Sequence, residues 1–403
     1  MFRVTTWNIN GLRTAKCLKS TLDDLDSDII CLQETKITRE MLTEPLAIVP
    51  GYSSYFDFSQ RRSGYSGVAT YCRDSATPLG AETGLAGSRA AADGGGRVGG
   101  YDAIAAELDP TERAEIDAEG RCVVTLHRLH CQCVAVGAEC QLAVINVYCP
   151  RVDPDRPERL AYKMRFYRAL RLRAAALRAA GHHVMVVGDL NCSHRPVDSC
   201  DPGDLTEFRS SPSRQFLDGW LCDPSPAGGG PEPEPDDDRL VDAFRLLHPT
   251  AVDVYTCWNT RQNARQLNFG TRIDYVLSDR ALASQLRSCD VLAHVLGSDH
   301  CPVRAAATLL AFLRPKEGVA GAPTASSRGE LGAAVNAADS QNGEPSAVTP
   351  PEPAEGARDP CVQRTVRKAG PNLGKLFWCC ARGVGKPGDP AANCGHFEWL
   401  QRK

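Results

Sequence analysis

Hydrophobic positions in the first three quarters of the chain gather into short runs that stop abruptly at polar residues. FRVTTWNI, DIICLQE, YSGVATYC, RCVVTLHRL, LAVINVYC, HVMVVGDLN, RIDYVLSD and the run through CPVRAAATLL read as strands. Between them, RPERLAYKMRFYRALRLRAAALRAAG carries apolar positions near helical spacing and closes on Gly181, a C-cap residue. Many strands with a few helices predict an α/β domain of sheets covered by helices. Two insertions, Gly84 to Gly100 with GGGRVGG and Pro224 to Asp238 with GGGPEPEPDDD, read as loops that do not carry the fold.

The pattern changes at Pro315. From there to Asp359 large apolar residues are few and Ala, Gly, Pro and Ser dominate, which predicts a flexible linker. Residues 360–403 regain aromatics and cysteines, are basic, and read as a small separate module after a main domain over 1–314. The charge of the whole chain, 46 basic against 49 acidic residues, excludes a polycation, so any nucleic-acid surface has to be a local patch. The start MFRVTTWNINGLR has no signal-like apolar core, and no later run of ~18 apolar residues suggests a membrane span. A soluble, non-secreted chain is expected. Its 18 cysteines, many inside strand runs, read as small buried hydrophobes in a reducing compartment rather than a disulfide framework.

The chemistry lies in how the strands end. HVMVVGDLN leaves Asp189 and Asn191 two residues apart, which in a strand puts both on one side. An Asx turn explains one such pair, but the device recurs. Asn8 and Asn10 end the first strand, Gln33 and Glu34 the second, and Tyr148 closes INVY. RIDYVLSD carries Asp274 inside an apolar strand, and Asp299 with His300 precede the last. Polar groups at so many strand ends predict one shared mouth between sheets. Asn8, Glu34, Asp189, Asn191 and Asp299 offer hard oxygen donors, which suit Mg2+, with Mn2+ as the alternative; zinc would ask for several His or Cys ligands that this core lacks. Asp274 can orient His300 and stabilise its charged form. A cationic His and a divalent ion suit the charge on a phosphoryl group in transit, so the residues point to phosphodiester or phosphomonoester hydrolysis.

In order, TTWNINGLR, CLQETK, SGYSGVAT, NVYCP, KMRFY, GDLN, RIDYVL and GSDHCPV resemble the exonuclease III class of apurinic/apyrimidinic (AP) endonucleases, within the endonuclease/exonuclease/phosphatase superfamily. The resemblance runs from Phe2 to Ala307. It implies a four-layer α/β sandwich, two mixed sheets face to face with helices outside. It also implies roles. Glu34 holds the metal with Asn8 and Asp299, and Asp189 orients and deprotonates the attacking water. Asn191 supports Asp189 and the phosphate. His300, oriented by Asp274, stabilises the pentacovalent state, and Tyr148 contacts the scissile phosphate. Asp189, Asn191 and His300 also count as metal-side ligands. Arg61 and Arg62 are expected to grip DNA phosphates, and residence in the nucleus, action in base excision repair and a monomeric state are implied.

The pattern is closer to the type 2 branch of that class. Where type 1 enzymes wall the abasic-sugar pocket with aromatics, this chain has Cys257 and Thr271. A less aromatic wall implies 3′→5′ exonuclease and 3′-phosphodiesterase action over incision at abasic sites leaving a 3′-OH. The tail resembles the GRF-type zinc finger of type 2 enzymes. However, Ala354 and Ala357 stand at two of four ligand positions, and the remaining Cys380 and Cys394 do not close a tetrahedral zinc site. Its Lys375 and Trp378 still suit single-stranded DNA. No Gln-x-x-Leu-x-x-aromatic-aromatic motif for a sliding clamp is present in the linker. Two rival readings stand beside this one: another phosphoesterase of the same superfamily, acting on inositol phosphates or in the manner of DNase I, and a non-catalytic DNA-binding scaffold.

Overall fold

The computed structural model describes residues 1–14, 17–89, 98–130, 139–153, 155–222, 237–259, 264–307, 311–312, 361–365, 376–380 and 397–399. The chain divides into two compact units, Met1–Ala338 and Asp339–Lys403.

Sixteen strands build the first unit among its described residues. They are β1 (Phe2–Asn8), β2 (Ile29–Gln33), β3 (Tyr52–Asp57), β4 (Val68–Arg73), β5 (Gly80–Thr83), β6 (Cys122–His130), β7 (Glu139–Tyr148) and β8 (His183–Asp189), followed by β9 (Leu221–Cys222), β10 (Leu240–Asp242), β11 (Cys257–Trp258), β12 (Gly270–Thr271), β13 (Asp274–Ser278), β14 (Leu286–Val291), β15 (Val303–Ala307) and β16 (Ala311–Phe312). One mixed sheet runs β14-β15-β1-β2-β4-β3 and the other β16-β6-β7-β8-β13-β10-β9, with β5 beside β6. The β1–β2 and β7–β8 pairs are parallel and flank the centre of each sheet. Strands β3, β5 and β14 carry too few large apolar residues to stand out in the sequence.

Burial explains why β8 reads HVMVV without alternation. Met185 and Val187 face the layer between the sheets, with Val4, Ile29, Cys31, Val144 and Val276. Val184 and Val186 face outward onto the helix Glu158–Ala179, whose Phe166, Leu170, Ala174 and Leu177 cover them. On the other sheet, Ile30 and Leu32 face outward under Leu18 and Leu22. Each strand is thus apolar on both sides, as expected for helix, sheet, sheet and helix stacked in four layers. A polar plug interrupts the middle layer. Gln33 Nε2 donates to Asn146 Oδ1 at 2.8 Å, and Asn146 Nδ2 donates to Ala69 O at 2.9 Å. A buried amide must find its partners, so this pair fixes one registration of sheet on sheet.

The Gly84–Gly100 insertion departs from expectation. Leu85, Ala86 and Val98 are buried in the core, and the Asp117 carboxylate accepts from Leu85 N, Ala86 N and Ser88 N. Its glycines turn the chain, but Asp117 fastens the segment to the fold. Of the Pro224–Asp238 insertion only Asp237 and Asp238 are described; both pair with arginines. Among the described residues twelve cysteines are free thiols, nine of them buried.

In the second unit, Cys361–Thr365, Leu376–Cys380 and Phe397–Trp399 form a three-stranded antiparallel sheet, with Cys361 opposite Cys380 in register. The 315–359 linker, Ala354, Ala357, Lys375 and Cys394 lie outside the described residues, and Trp378 and Cys380 are described only as strand positions.

A buried ion network ties the turn after β8 to β13. Asp198, fully buried, accepts from Arg272 at 2.9 and 3.1 Å and from Arg245 at 2.5 Å, while Arg272 also reaches Asp242 at 2.7 Å. Burial pushes the Asp198 carboxyl up, but the two guanidiniums outweigh it and bring it down to about 2. Removing one partner strands buried charge. Asp198→Asn is expected to lose about 3–5 kcal/mol in urea unfolding at pH 7. Because the folded pKa is depressed, the contribution is complete above the ordinary Asp range and fades as pH falls toward 2. The gap between variant and parent should therefore close in acid; equal urea midpoints at pH 7 would refute the network's role.

Candidate active site

Three strand ends at one edge of the sandwich leave their strands in the left-handed region. Asn10 (φ +53°), Glu34 (φ +51°) and Asn191 (φ +52°) follow β1, β2 and β8, each a non-glycine that pays strain for the turn. Asp189 Oδ1 accepts from Asn191 N at 2.7 Å, and Asn8 Oδ1 accepts from Asn10 N at 3.1 Å. Asn191 therefore does not share a strand face with Asp189. It folds back through an Asx turn, and its side chain returns to donate to Asp189 Oδ2 at 3.3 Å and Cys149 O at 3.0 Å. The turn and the candidate site are one structure. Gly188, at φ +143°, is needed here because a Cβ would lie 1.9 Å from Val147 O.

Register brings the rest together. Tyr148, Asp189 and Asp274 stand opposite one another on β7, β8 and β13, in one row across the second sheet. From the first sheet, Asn8 Nδ2 donates to Glu34 Oε1 and to Asp189 Oδ2, both at 2.9 Å. Lys36 Nζ lies 2.8 Å from Glu34 Oε2. Burial pushes the Glu34 carboxyl up, but hydrogen bonds from Asn8, Lys36 and Tyr148 hold it below the usual range. The Tyr148 hydroxyl is driven well above its usual range by burial and by Glu34.

His300 Nδ1 pairs with Asp274 Oδ2 at 2.8 Å, and its Nε2 lies 3.9 Å from Asp189 Oδ2. Thr256 Oγ1 donates to the same Asp274 oxygen at 2.6 Å, which fixes the carboxylate that fixes the ring. Burial opposes charge on His300, but Asp274 outweighs it and raises the imidazole well above its ordinary range. Burial and the Asp274 charge push Asp189 up to about 7, against the pull of His300 and Asn8.

Asp189, Asp274 and His300 form the one tight acid and imidazole cluster with metal-ligand spacing among the described residues. His300 Nδ1 and Asp274 Oδ2 are already engaged with each other, while Asp189 stands 3.9 Å from His300 Nε2 without a hydrogen bond to it. Asp299 does not join them: its carboxylate accepts from Ser298 Oγ at 3.2 Å, and its backbone O holds Trp258 N at 2.9 Å. Arg61 and Arg62 are exposed, with Arg62 5.9 Å from the Tyr65 ring.

Other residues join the site through packing. Arg121, fully buried, stacks 4.6 Å from the Tyr148 ring and donates to Tyr148 O at 2.8 Å. Lys163 and Tyr167 of KMRFY reach the carbonyls that follow Asp189. Cys257 bridges His300 on one side and pairs with Thr271 on the other, which lines up three side chains along the wall of the site. The spacing of KMRFY, one helical turn between Lys163 and Tyr167, was the available clue.

Residues 5–300 match the model of the endonuclease/exonuclease/phosphatase family, and residues 356–403 that of the GRF zinc finger. The Xenopus laevis DNA-(apurinic or apyrimidinic site) endonuclease 2 is 38% identical over 518 residues, covering 100% of this chain and 99% of that one. The chain belongs to the AP endonuclease family of DNA-repair nucleases. The mouse DNA-(apurinic or apyrimidinic site) endonuclease 2 is 37% identical, with 99% of each chain covered. The crystal structure of the Xenopus laevis APE2 catalytic domain superposes with a TM-score of 0.70 at 47% identity, over 78% of this chain and 94% of that one. Membership accounts for the two mixed sheets. No helix among the described residues is long and apolar enough to cross a membrane.

The His300–Asp274 pair makes a direct prediction. Nitrogen-detected NMR of the imidazole should show His300 protonated at pH 7.5, and Asp274→Asn should move its titration downward, because the charge that outweighs burial is removed. A neutral His300 ring in the parent protein at pH 7 would contradict the assignment.

Proposed function

We propose that this nuclease hydrolyses DNA phosphodiesters at 3′ ends, as a 3′→5′ exonuclease and 3′-phosphodiesterase, with weaker incision at internal abasic sites. The single observation that carries the reading is the convergence of Asp189, the Asp274–His300 pair and Glu34 at one edge of the sandwich. Asp189 accepts the proton of the attacking water. His300, held cationic by Asp274, donates from Nε2 to a phosphate oxygen as negative charge gathers there. Asn191 steadies Asp189, and the Tyr148 hydroxyl contacts the phosphate.

The donor set fits a hard divalent ion. Glu34, Asp189 and Asn191 offer oxygens, Asn8 and Asp299 flank them, and the burial and neighbouring carboxylates that lift Asp189 are what a cation would offset. These residues would hold Mg2+, or Mn2+ in its place, which when bound neutralises charge on the phosphate oxygens. Arg61 and Arg62 grip the duplex backbone, and the basic, aromatic tail with Lys375 and Trp378 takes single-stranded DNA. Zinc in that tail, through Cys380 and Cys394, lacks two of its expected partners. The protein acts in the nucleus as a monomer, without a recognisable clamp-binding motif.

The small side chains of Cys257 and Thr271 support the preference for 3′ ends, since a flipped sugar finds no aromatic wall there. Purified full chain with Mg2+ should shorten a recessed, mismatched 3′ end faster than it cuts a duplex with an internal abasic analogue. Asp189→Asn should abolish both reactions. Faster cutting at the internal abasic site, or activity surviving Asp189→Asn, would remove this reading. The double change Cys257→Phe with Thr271→Trp should shift the ratio toward abasic incision on the same gel. Release of phosphate from inositol phosphates with DNA left intact would instead favour the superfamily's phosphatase reading.

A further inference from the structure

We infer that Lys163 is a positioning residue for the nuclease reaction, holding the Leu190–Asn191 turn from beneath so that Asp189 and Asn191 stay aimed at the phosphate. The inference rests on the reading of Asp189 and Asn191 as reacting groups.

The turn needs holding. Asn191 sits at φ +52°, a left-handed conformation that asparagine adopts more readily than most residues but less readily than glycine. Its own Asx bond to Asp189 is local and would survive many orientations of the turn as a whole. Three longer-range bonds fix that orientation. Leu190 N donates to Ile273 O at 2.9 Å, Tyr167 Oη donates to Leu190 O at 2.6 Å, and Lys163 Nζ donates to Asn191 O at 2.7 Å. Lys163 and Tyr167 lie one turn apart on the helix Glu158–Ala179, so two rungs of one rigid element grip two successive carbonyls.

The choice of lysine is the telling feature. Lys163 is 2% exposed, and burial pulls its ammonium below the ordinary lysine range. Its nearest aromatic contact is the Tyr167 ring at 5.2 Å, and the Asp189 carboxylate acts on it electrostatically. Burying an ammonium to satisfy one carbonyl is a poor way to gain stability, because its desolvation offsets what the hydrogen bond returns. A core optimised only for packing would place Met or Leu there, beside Phe166 and Leu170. A charged donor under the base gives something packing does not. It fixes the Asn191 peptide by a charge-assisted bond and sets a fixed positive charge behind Asp189.

The test uses the full chain with Mg2+ and a duplex carrying a recessed 3′ end. In Lys163→Met, kcat is expected to fall about 100-fold, the loss typical of a reacting group displaced by an ångström, while KM stays within about twofold. The thermal midpoint should stay level or rise, because a buried charge has gone. Lys163→Gln, which keeps a shorter N–H donor, should recover part of kcat. If Lys163→Met does not accumulate as folded protein, Tyr167→Phe carries the same test, with an expected drop in kcat at unchanged KM. An unchanged kcat in Lys163→Met or Tyr167→Phe overturns the inference, and so does a kcat that falls only in step with the thermal midpoint. Asp189→Asn runs in parallel. If it stays active, the reading of the site fails and the inference with it; if it is inactive while Lys163→Met is fully active, only the inference fails.

Discussion

One side-chain amide joins the two halves of the catalytic unit. Asn8 comes from the first sheet, Asp189 from the second, and Glu34 from the loop after the neighbouring strand. The two N–H bonds of a single NH2 group reach both carboxylates at 2.9 Å. Two neighbouring carboxylates repel, and the buried Asp189 would be costly left without a partner. The amide satisfies an oxygen on each without adding charge. It fixes their separation, and with it the gap between the sheets at that edge. Beneath it, the Gln33–Asn146 pair sets the same alignment deeper in the sandwich. The row of Tyr148, Asp189 and Asp274 is then carried to a defined place opposite Glu34.

Around that joint the molecule spends stability on placement. Left-handed turns at Asn10, Glu34 and Asn191 lie at three strand ends on one edge of the sandwich. Buried charges at Arg121, Lys163, Arg245 and Arg272 are kept where apolar residues would be less costly. They have a common outcome, since each clamps a carbonyl or carboxylate in the segments that follow β7, β8 and β10. Rigid support outside the reacting groups is what a positioned water and a positioned phosphate require.

The inventory of the site was legible in the chain. Asn8, Glu34, Tyr148, Asp189, Asn191 and His300 stand beside strand ends that apolar runs announce, and Asp274 lies in a strand run; the structure brings them to one edge. The sandwich followed from runs such as VMVV that have no polar face to show to solvent. Other features were hidden for identifiable reasons. Strands β3 and β14 are too mixed to rise above loops. The Gly-rich insertion concealed a segment fastened by Asp117, because glycine marks a turn without saying what lies beneath it. Arg121, Lys163 and Thr256 look like ordinary surface residues until packing buries them.

By itself, then, the sequence determined which groups could react and that they close buried strands, because the period of burial and the end of an apolar run are local properties. Only the tertiary structure decided which groups meet. Asn8 and Asp189 are 181 residues apart. A strand apolar on both faces does not record which neighbour it pairs with or in what register, since a slip by two residues leaves its pattern unchanged. That is why Asp189 faces Asp274 while Asp299 stays outside the cluster, and why a lysine on a distant helix ends beneath the turn at Asn191. These outcomes depend on the packing of whole sheets, which no short stretch of residues encodes.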